Sequence, residues 1–218
     1  MEIKTIGIFL LIVLLVAAAF VALQLPTQHE FSTRIPTAYV VTTGIGESDE
    51  GIPPDPYETF SYDLALQNAS IEDFNVAYYT SVLPPESYEV PLEKAKGYFH
   101  HGAVLESIMA KAGGVKGDTV VAGVGRVWAV DQNGKYVGGF AAEYQYVYPQ
   151  QKVSAETAKE DATRQLTRSM NHELKIRNLK QTGEMKFDIA SIYIEKNYGM
   201  ALAQIGFLDY IYPKKIFP

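Results

Sequence analysis

Hydrophobic positions along this chain follow three rhythms, and each predicts a different element. The first is unbroken: residues 6–23, IGIFLLIVLLVAAAFVAL, carry no charge over 18 positions, about 27 Å as a helix and near the minimum for crossing a bilayer. Gln24 and Pro26 stop it. Its length favours an uncleaved membrane anchor. Lys4 before it and the small residues Ala17-Ala18-Ala19 also suit a secretory signal, and a buried core helix is the third reading. With only Lys4 before the run and Arg34 close after it, the charge rule leaves orientation open.

Beyond residue 26, periods of two and of 3.6 alternate. AYVVTT, residues 38–43, is a β-branched strand closed by the glycine turn Gly44-Ile45-Gly46, and ESDEGIPPDP is a loop reaching Pro56. Residues 57–69 place Phe60, Leu64 and Ala65 at helical spacing. FNVAYYTS, residues 74–81, returns to strand character before the stop Pro84-Pro85, and 86–97 reads as loop. AVLESIMAKA, residues 103–112, sets Val104, Leu105, Ile108 and Met109 on one face ahead of Gly113-Gly114, which predicts a helix and its C-terminus. Residues 119–130 and 135–148 flank Asp131-Gln132-Asn133-Gly134, a hairpin signature. Ser154 opens a helix in which Ala158, Ala162, Leu166, Met170 and Leu174 recur every four residues, with Lys159, Arg164 and Arg168 on a solvated face. Residues 189–194 and 200–210 read as two further strands. The organisation is therefore an N-terminal segment, 1–26, and one α/β domain, 27–218.

Composition narrows the chemistry. The chain has 218 residues, 47% hydrophobic, with a net charge of -6, which disfavours binding to a nucleic-acid backbone and suits a cationic small molecule. Cysteine is absent, so thiolate metal sites, disulfides and cysteine nucleophiles are excluded. Gly44-Ile45-Gly46 follows a strand as a dinucleotide loop would, but Glu47, Asp49 and Glu50 would repel a pyrophosphate. The four histidines, 28, 100, 101 and 172, lack the spacing of a helical metal pair, and His100-His101 adjoin the expected helix start at 103. Tyr144, Tyr146 and Tyr148 alternate along a strand and so share one sheet face or a subunit contact.

Two acids stand out. On strand 135–148, alternation puts Glu143 on the face of Val137, Gly139, Ala141 and Val147. A carboxyl partly buried there, without a cation, would have a raised pKa and suit a general acid; a salt-bridged structural glutamate is the other reading. Asp63 lies mid-helix beside Phe60 and Tyr62, where an aspartate either faces solvent or is held for a partner such as a guanidinium.

GIGESDEGIPPDPYETFSYDLALQNASIEDFNVAYYTSVLPP, residues 44–85, closely resembles the pyruvoyl-dependent arginine decarboxylases, particularly their bacterial branch with a Thr-Ser processing pair. The likeness continues through FHHGAVLESIMA, GVGRVWAVDQNGKYVGGFAAEY and IEKNYGMALAQIGFLDY, from Arg34 to Tyr210. The apolar leader falls outside it, because members of the family are commonly soluble and intracellular.

The resemblance implies a layered sandwich of mostly antiparallel sheets flanked by helices, here with an added N-terminal hydrophobic helix. It implies self-cleavage at Thr80-Ser81, giving a β chain ending at 80 and an α chain starting at 81 with a covalent pyruvoyl group made from Ser81. Neither pyridoxal phosphate nor metal is expected. The implied substrate is L-arginine, joined as a Schiff base through its α-amino group and released as agmatine after loss of CO2. On the same basis Glu143 is the proton donor, Asp63 meets the guanidinium, and Asn75 serves processing and the active site. A straight strand would put Asn75 about 20 Å from Ser81, so Asn75 is expected to act on a neighbour's Ser81, in the homo-trimer or higher assembly with inter-subunit sites that the resemblance implies. The alternatives are the same chemistry on another amino acid such as histidine, and a membrane-tethered homologue that never cleaves itself. Localisation is expected at a membrane or beyond it, with the catalytic domain outside the cytoplasm, or in the cytoplasm as for much of the family.

Overall fold

The computed structural model describes residues 33–212; the apolar run 6–23 lies outside them, as does the boundary expected at 26. Among the described residues no helix is long and apolar enough to cross a membrane. In chain order the elements are β1 (Ile35–Pro36), β2 (Ala38–Ser48), α1 (Phe60–Asn68), β3 (Asn75–Tyr78), β4 (Val82–Leu83), β5 (Tyr88–Glu89) and α2 (Leu92–Ala95) with a 3-10 turn (Lys96–Tyr98). They continue with β6 (Val104–Val115), β7 (Thr119–Val130), β8 (Tyr136–Tyr148), α3 (Ala155–Ile176), β9 (Lys180–Tyr193), β10 (Tyr198–Phe207) and β11 (Tyr210–Ile211).

Two sheets stack face to face with a helix on each outer side. One has the order β3-β6-β10-β2-β5, the other β4-β8-β7-β9, and β1 pairs with β11 apart from both. All pairings are antiparallel except β3 with β6 and β2 with β5. Between the sheets lie Tyr39, Leu83, Ile108, Val124, Ala141, Ile205 and Phe207. The hairpin forms as its turn chemistry requires: Asp131 Oδ1 accepts the N–H groups of Asn133 and Lys135, at 2.8 and 2.9 Å, and Gly134 sits at φ +82°. α3 starts where Ser154 Oγ accepts the Thr157 N–H at 3.1 Å, and its five four-spaced residues are all buried on the β7-β8-β9 sheet. Lys159, Arg164 and Arg168 are exposed. Tyr144 and Tyr148 lie under α3, where Tyr148 donates to Asp161 Oδ2 at 2.7 Å, so the tyrosine alternation does mark one sheet face.

Several expected elements differ. Residues 103–112 are not a helix; they belong to β6, the second strand of the five-stranded sheet. α1 covers one of its faces, at Leu105 and Met109, and the other sheet covers Ile108, Ala110 and Ala112. A strand buried on both sides is apolar almost throughout, so its pattern does not separate strand from helix. Gly113 is a packing gap, not a helix end, since a Cβ there would lie 2.2 Å from the Tyr57 ring. His100 and His101 accordingly precede a strand, with His101 Nδ1 2.7 Å from Asp73 Oδ1. Gly44-Ile45-Gly46 is not a turn either. β2 runs straight through it to Ser48, and Cβ atoms at Gly44 and Gly46 would lie 2.0 and 2.3 Å from α1 carbonyl oxygens, so these glycines let the helix rest on the strand. The segment 86–97 contains β5 and α2, and the strand expected at 189–194 begins earlier, at Lys180. The strand expected over 74–81 is two strands in two different sheets, β3 and β4.

Candidate active site

The break between β3 and β4 is where the chain crosses the sandwich. β3 runs parallel to β6, Asn75 opposite Val104 and Tyr78 opposite Ser107, and a last bond follows from Tyr79 N–H to Ser107 O at 2.8 Å. Ser81 then belongs to the other sheet: its carbonyl accepts the Ala141 N–H at 2.8 Å, and Val82 and Leu83 pair with Phe140 and Gly139 of β8. The Thr80-Ser81 peptide is thus the bridge between the sheets, with Thr80 exposed and Ser81 half-buried. Leu83 anchors the far side in the core. Gly138, at φ +96°, allows this approach, because a Cβ there would stand 2.4 Å from Leu83 O.

β3's departure leaves the adjoining edge of β6 without a strand partner beyond Ser107. Side chains of β8 fill that role. The Met109 backbone hydrogen-bonds the Glu143 carboxylate, and Lys111 N–H reaches Gln145 Oε1 at 3.4 Å. Glu143 lies on β8 two residues beyond Ala141, about 7 Å along the strand from the residue that holds Ser81. Its inward face is as alternation predicts, and at the open edge of the sandwich it keeps an exposed surface while the surrounding protein partly buries its carboxyl. Desolvation by the surrounding protein raises its pKa, and the Met109 bond only partly opposes this. Among the described residues no cation pairs with it. A carboxyl in that state holds a proton above the ordinary carboxylate range and can hand it on.

The same crossing carries a second carboxylate, which alternation could have revealed had 103–112 been read as strand. Glu106 of β6 points between the sheets, 7% exposed, and accepts the Tyr79 phenol at 2.6 Å. Beyond Met109, Lys111 pairs with Glu58 at 2.8 Å and lies over the Tyr62 ring. Burial would lower the Lys111 pKa, but Glu58 and Tyr78 outweigh it and raise it. Glu58, Lys111, Gln145 and Tyr146 line a cavity of about 490 Å³ beside this edge.

Two of the expected site residues are not brought here within one chain. Asp63 is exposed on α1, which covers the outer face of the five-stranded sheet, the side away from Ser81. Asn75 is exposed at the opposite end of β3 from Thr80, and its amide donates to Gly102 O at 3.0 Å. Among the described residues no cluster of three or more His, Asp or Glu is placed to hold a metal ion.

Residues 38–212 match the family model of pyruvoyl-dependent arginine decarboxylase. The chain is 43% identical to the pyruvoyl-dependent arginine decarboxylase AaxB of Chlamydia caviae over 185 residues, 83% of this chain and 94% of that protein. AaxB of Chlamydia pneumoniae is likewise 43% identical over the same shares. Pyruvoyl-dependent arginine decarboxylase 2 of Archaeoglobus fulgidus is 29% identical over 111 residues, 50% of this chain and 64% of that protein. A family model spanning most of the chain and relatives of this identity place it plainly: the chain belongs to the pyruvoyl-dependent arginine decarboxylase family.

Proposed function

We propose that the family's reaction, decarboxylation of L-arginine to agmatine and CO2, runs in this chain at the sheet crossing, with Ser81 the residue processed and Glu143 the proton donor. The observation that carries the assignment is the placement of Ser81 on β8 beside Glu143. The residues present fit a covalent group made from Ser81. Cleavage at Thr80-Ser81 would leave the Ser81 carbonyl bonded to Ala141 and β4 paired with β8, so the new N-terminus stays at the open edge. When formed, a pyruvoyl group there supplies a carbonyl that takes up the electrons left by departing CO2. Glu143, whose pKa desolvation raises, delivers its carboxyl proton to the substrate α-carbon.

Asp63 and Asn75 are assigned to a neighbouring copy's site, in a trimer with inter-subunit sites. Supporting this, both are exposed, and β3 is an edge strand with Tyr78 and the adjacent Val104 of β6 exposed. A carboxylate suits the planar guanidinium of arginine better than the imidazole of histidine, which favours arginine as substrate. The run of 18 uncharged residues at 6–23 supports a membrane anchor or export signal, with the domain from 27 onward outside the cytoplasm.

The test is intact mass spectrometry of denatured protein, before and after arginine and borohydride. Denaturation is needed because β2 of fragment 1–80 lies hydrogen-bonded between β10 and β5 of fragment 81–218. Two masses split at Thr80-Ser81, the second fragment trapping arginine on reduction, support the assignment. A single uncut mass, or trapping of histidine in preference to arginine, refutes it.

A further inference from the structure

Residue 79 is held more firmly than its neighbours. Its N–H donates to Ser107 O at 2.8 Å, its phenol donates to Glu106 Oε2 at 2.6 Å, and its ring packs on Phe207 at 5.6 Å between centroids. Glu106 and Ser107 are consecutive on β6, and Phe207 is the β10 partner of Glu106, so one rung of the sheet grips both backbone and side chain. Residue 81 is fixed separately, on the other sheet, through Ala141. With both flanks pinned, the few torsions between them set where the Thr80 carbonyl points, because each residue has only two soft backbone dihedrals.

The grip has a cost that packing does not require. A carboxylate only 7% exposed forfeits most of its hydration, and a phenylalanine at 79 would fill the same space without needing one. A charge-assisted O–H to carboxylate bond is, however, strong and directional. We propose that Tyr79 and Glu106 are a positioning pair for self-cleavage, holding the Thr80 carbonyl in line with the Ser81 hydroxyl. The inference rests on the reading that this chain cuts itself at Thr80-Ser81.

In the first step of that cleavage the Ser81 Oγ to Thr80 carbonyl-carbon bond forms and the Thr80 C to Ser81 N bond breaks. The hydroxyl proton passes to the departing nitrogen. Tyr79 and Glu106 exchange no atoms in it; they fix the angle and distance of attack. A misplacement of about 1 Å costs on the order of 10²-fold in rate, so releasing Tyr79 slows the cut without altering the reacting groups.

The experiment follows cutting of newly synthesised full-length chain by intact mass over time, with a melting curve for every variant. The variants are Tyr79→Phe, Glu106→Leu, Glu106→Gln and the double Tyr79→Phe/Glu106→Leu. Expected are cutting rates at least about tenfold slower for the first two, and for the double variant no slower than either, since the pair acts as one unit. Glu106→Gln, which keeps an acceptor oxygen, recovers most of the rate. The melting curve of each variant separates a slower cut from a lost fold. Wild-type cutting in the double variant overturns the proposal and assigns the pair to packing. So does slowing that tracks loss of folded chain across all four. A wild-type chain that is never cut overturns the self-cleavage reading itself, whereas wild type and Tyr79→Phe cutting equally fast overturns only the positioning role.

Discussion

The two edges of the sandwich treat charge in opposite ways. At the β5-β9 edge Arg126 is 3% exposed and bonded to Glu89 at 2.9 Å and to Asp188 at 2.6 Å, while Lys186 adds a contact to Glu89 at 3.3 Å. Burial pushes the Glu89 carboxyl up, but Arg126 and Lys186 outweigh it and hold it below the ordinary range. At the β3-β4 edge Glu143 feels desolvation with only a backbone bond against it, and its pKa rises. The same side chain in the same sandwich moves in two directions because one edge supplies cations and the other supplies a chain crossing. The paired edge joins the two sheets; the unpaired edge raises the pKa of its carboxyl.

The largest test of this contrast is Ser81→Ala, which should leave one full-length mass and no decarboxylation measurable as CO2 release. Glu143→Gln should still be cut, yet lose about 10²- to 10⁴-fold in kcat with a smaller change in KM, the range for removing a positioned general acid. Failure of that variant to be cut would show that the open edge serves processing as well. At the other edge, Arg126→Met strands two carboxylates and should cost about 3 kcal/mol in denaturant unfolding, the low end for a broken buried pair because Glu89 and Asp188 keep some solvent.

The smallest effects lie in pH. Glu89, depressed in the fold, contributes stability that is present above its unfolded pKa and lost as pH falls through the depressed value. Glu143, raised in the fold, does the reverse: stability falls as pH rises from the ordinary carboxylate range through the raised value. Melting curves of Glu89→Gln should therefore flatten on the acid side, and those of Glu143→Gln on the side above the ordinary range. Turnover of the wild type, which in the proposed reaction needs Glu143 protonated, should decline as pH rises through the same raised value. A turnover that instead increases across that window would remove Glu143 from the donor role.

Elements whose signals are local were legible in the chain. The hairpin at Asp131 to Gly134, the Ser154 cap with its four-spaced core face, and the inward direction of Glu143 all follow from periodicity and turn chemistry within a few residues. The sequence also held Thr80-Ser81, Glu143, Asp63 and Asn75 as candidates, through family resemblance. What it did not carry was how far each stands from the others.

That was decided by the tertiary structure. A strand covered on both faces loses its alternation, so β6 read as a helix and Glu106 escaped notice. The Gly44-Ile45-Gly46 run looked like a turn until α1 was seen lying 2.0 Å from where a Cβ would stand. Above all, 74–81 reads as one strand, yet its ends bond to different sheets. Hydrogen-bond partners, unlike hydrophobic periods, are chosen by what folding brings alongside, and here that choice placed the Thr80-Ser81 peptide between the sheets and a raised-pKa carboxyl at their open edge.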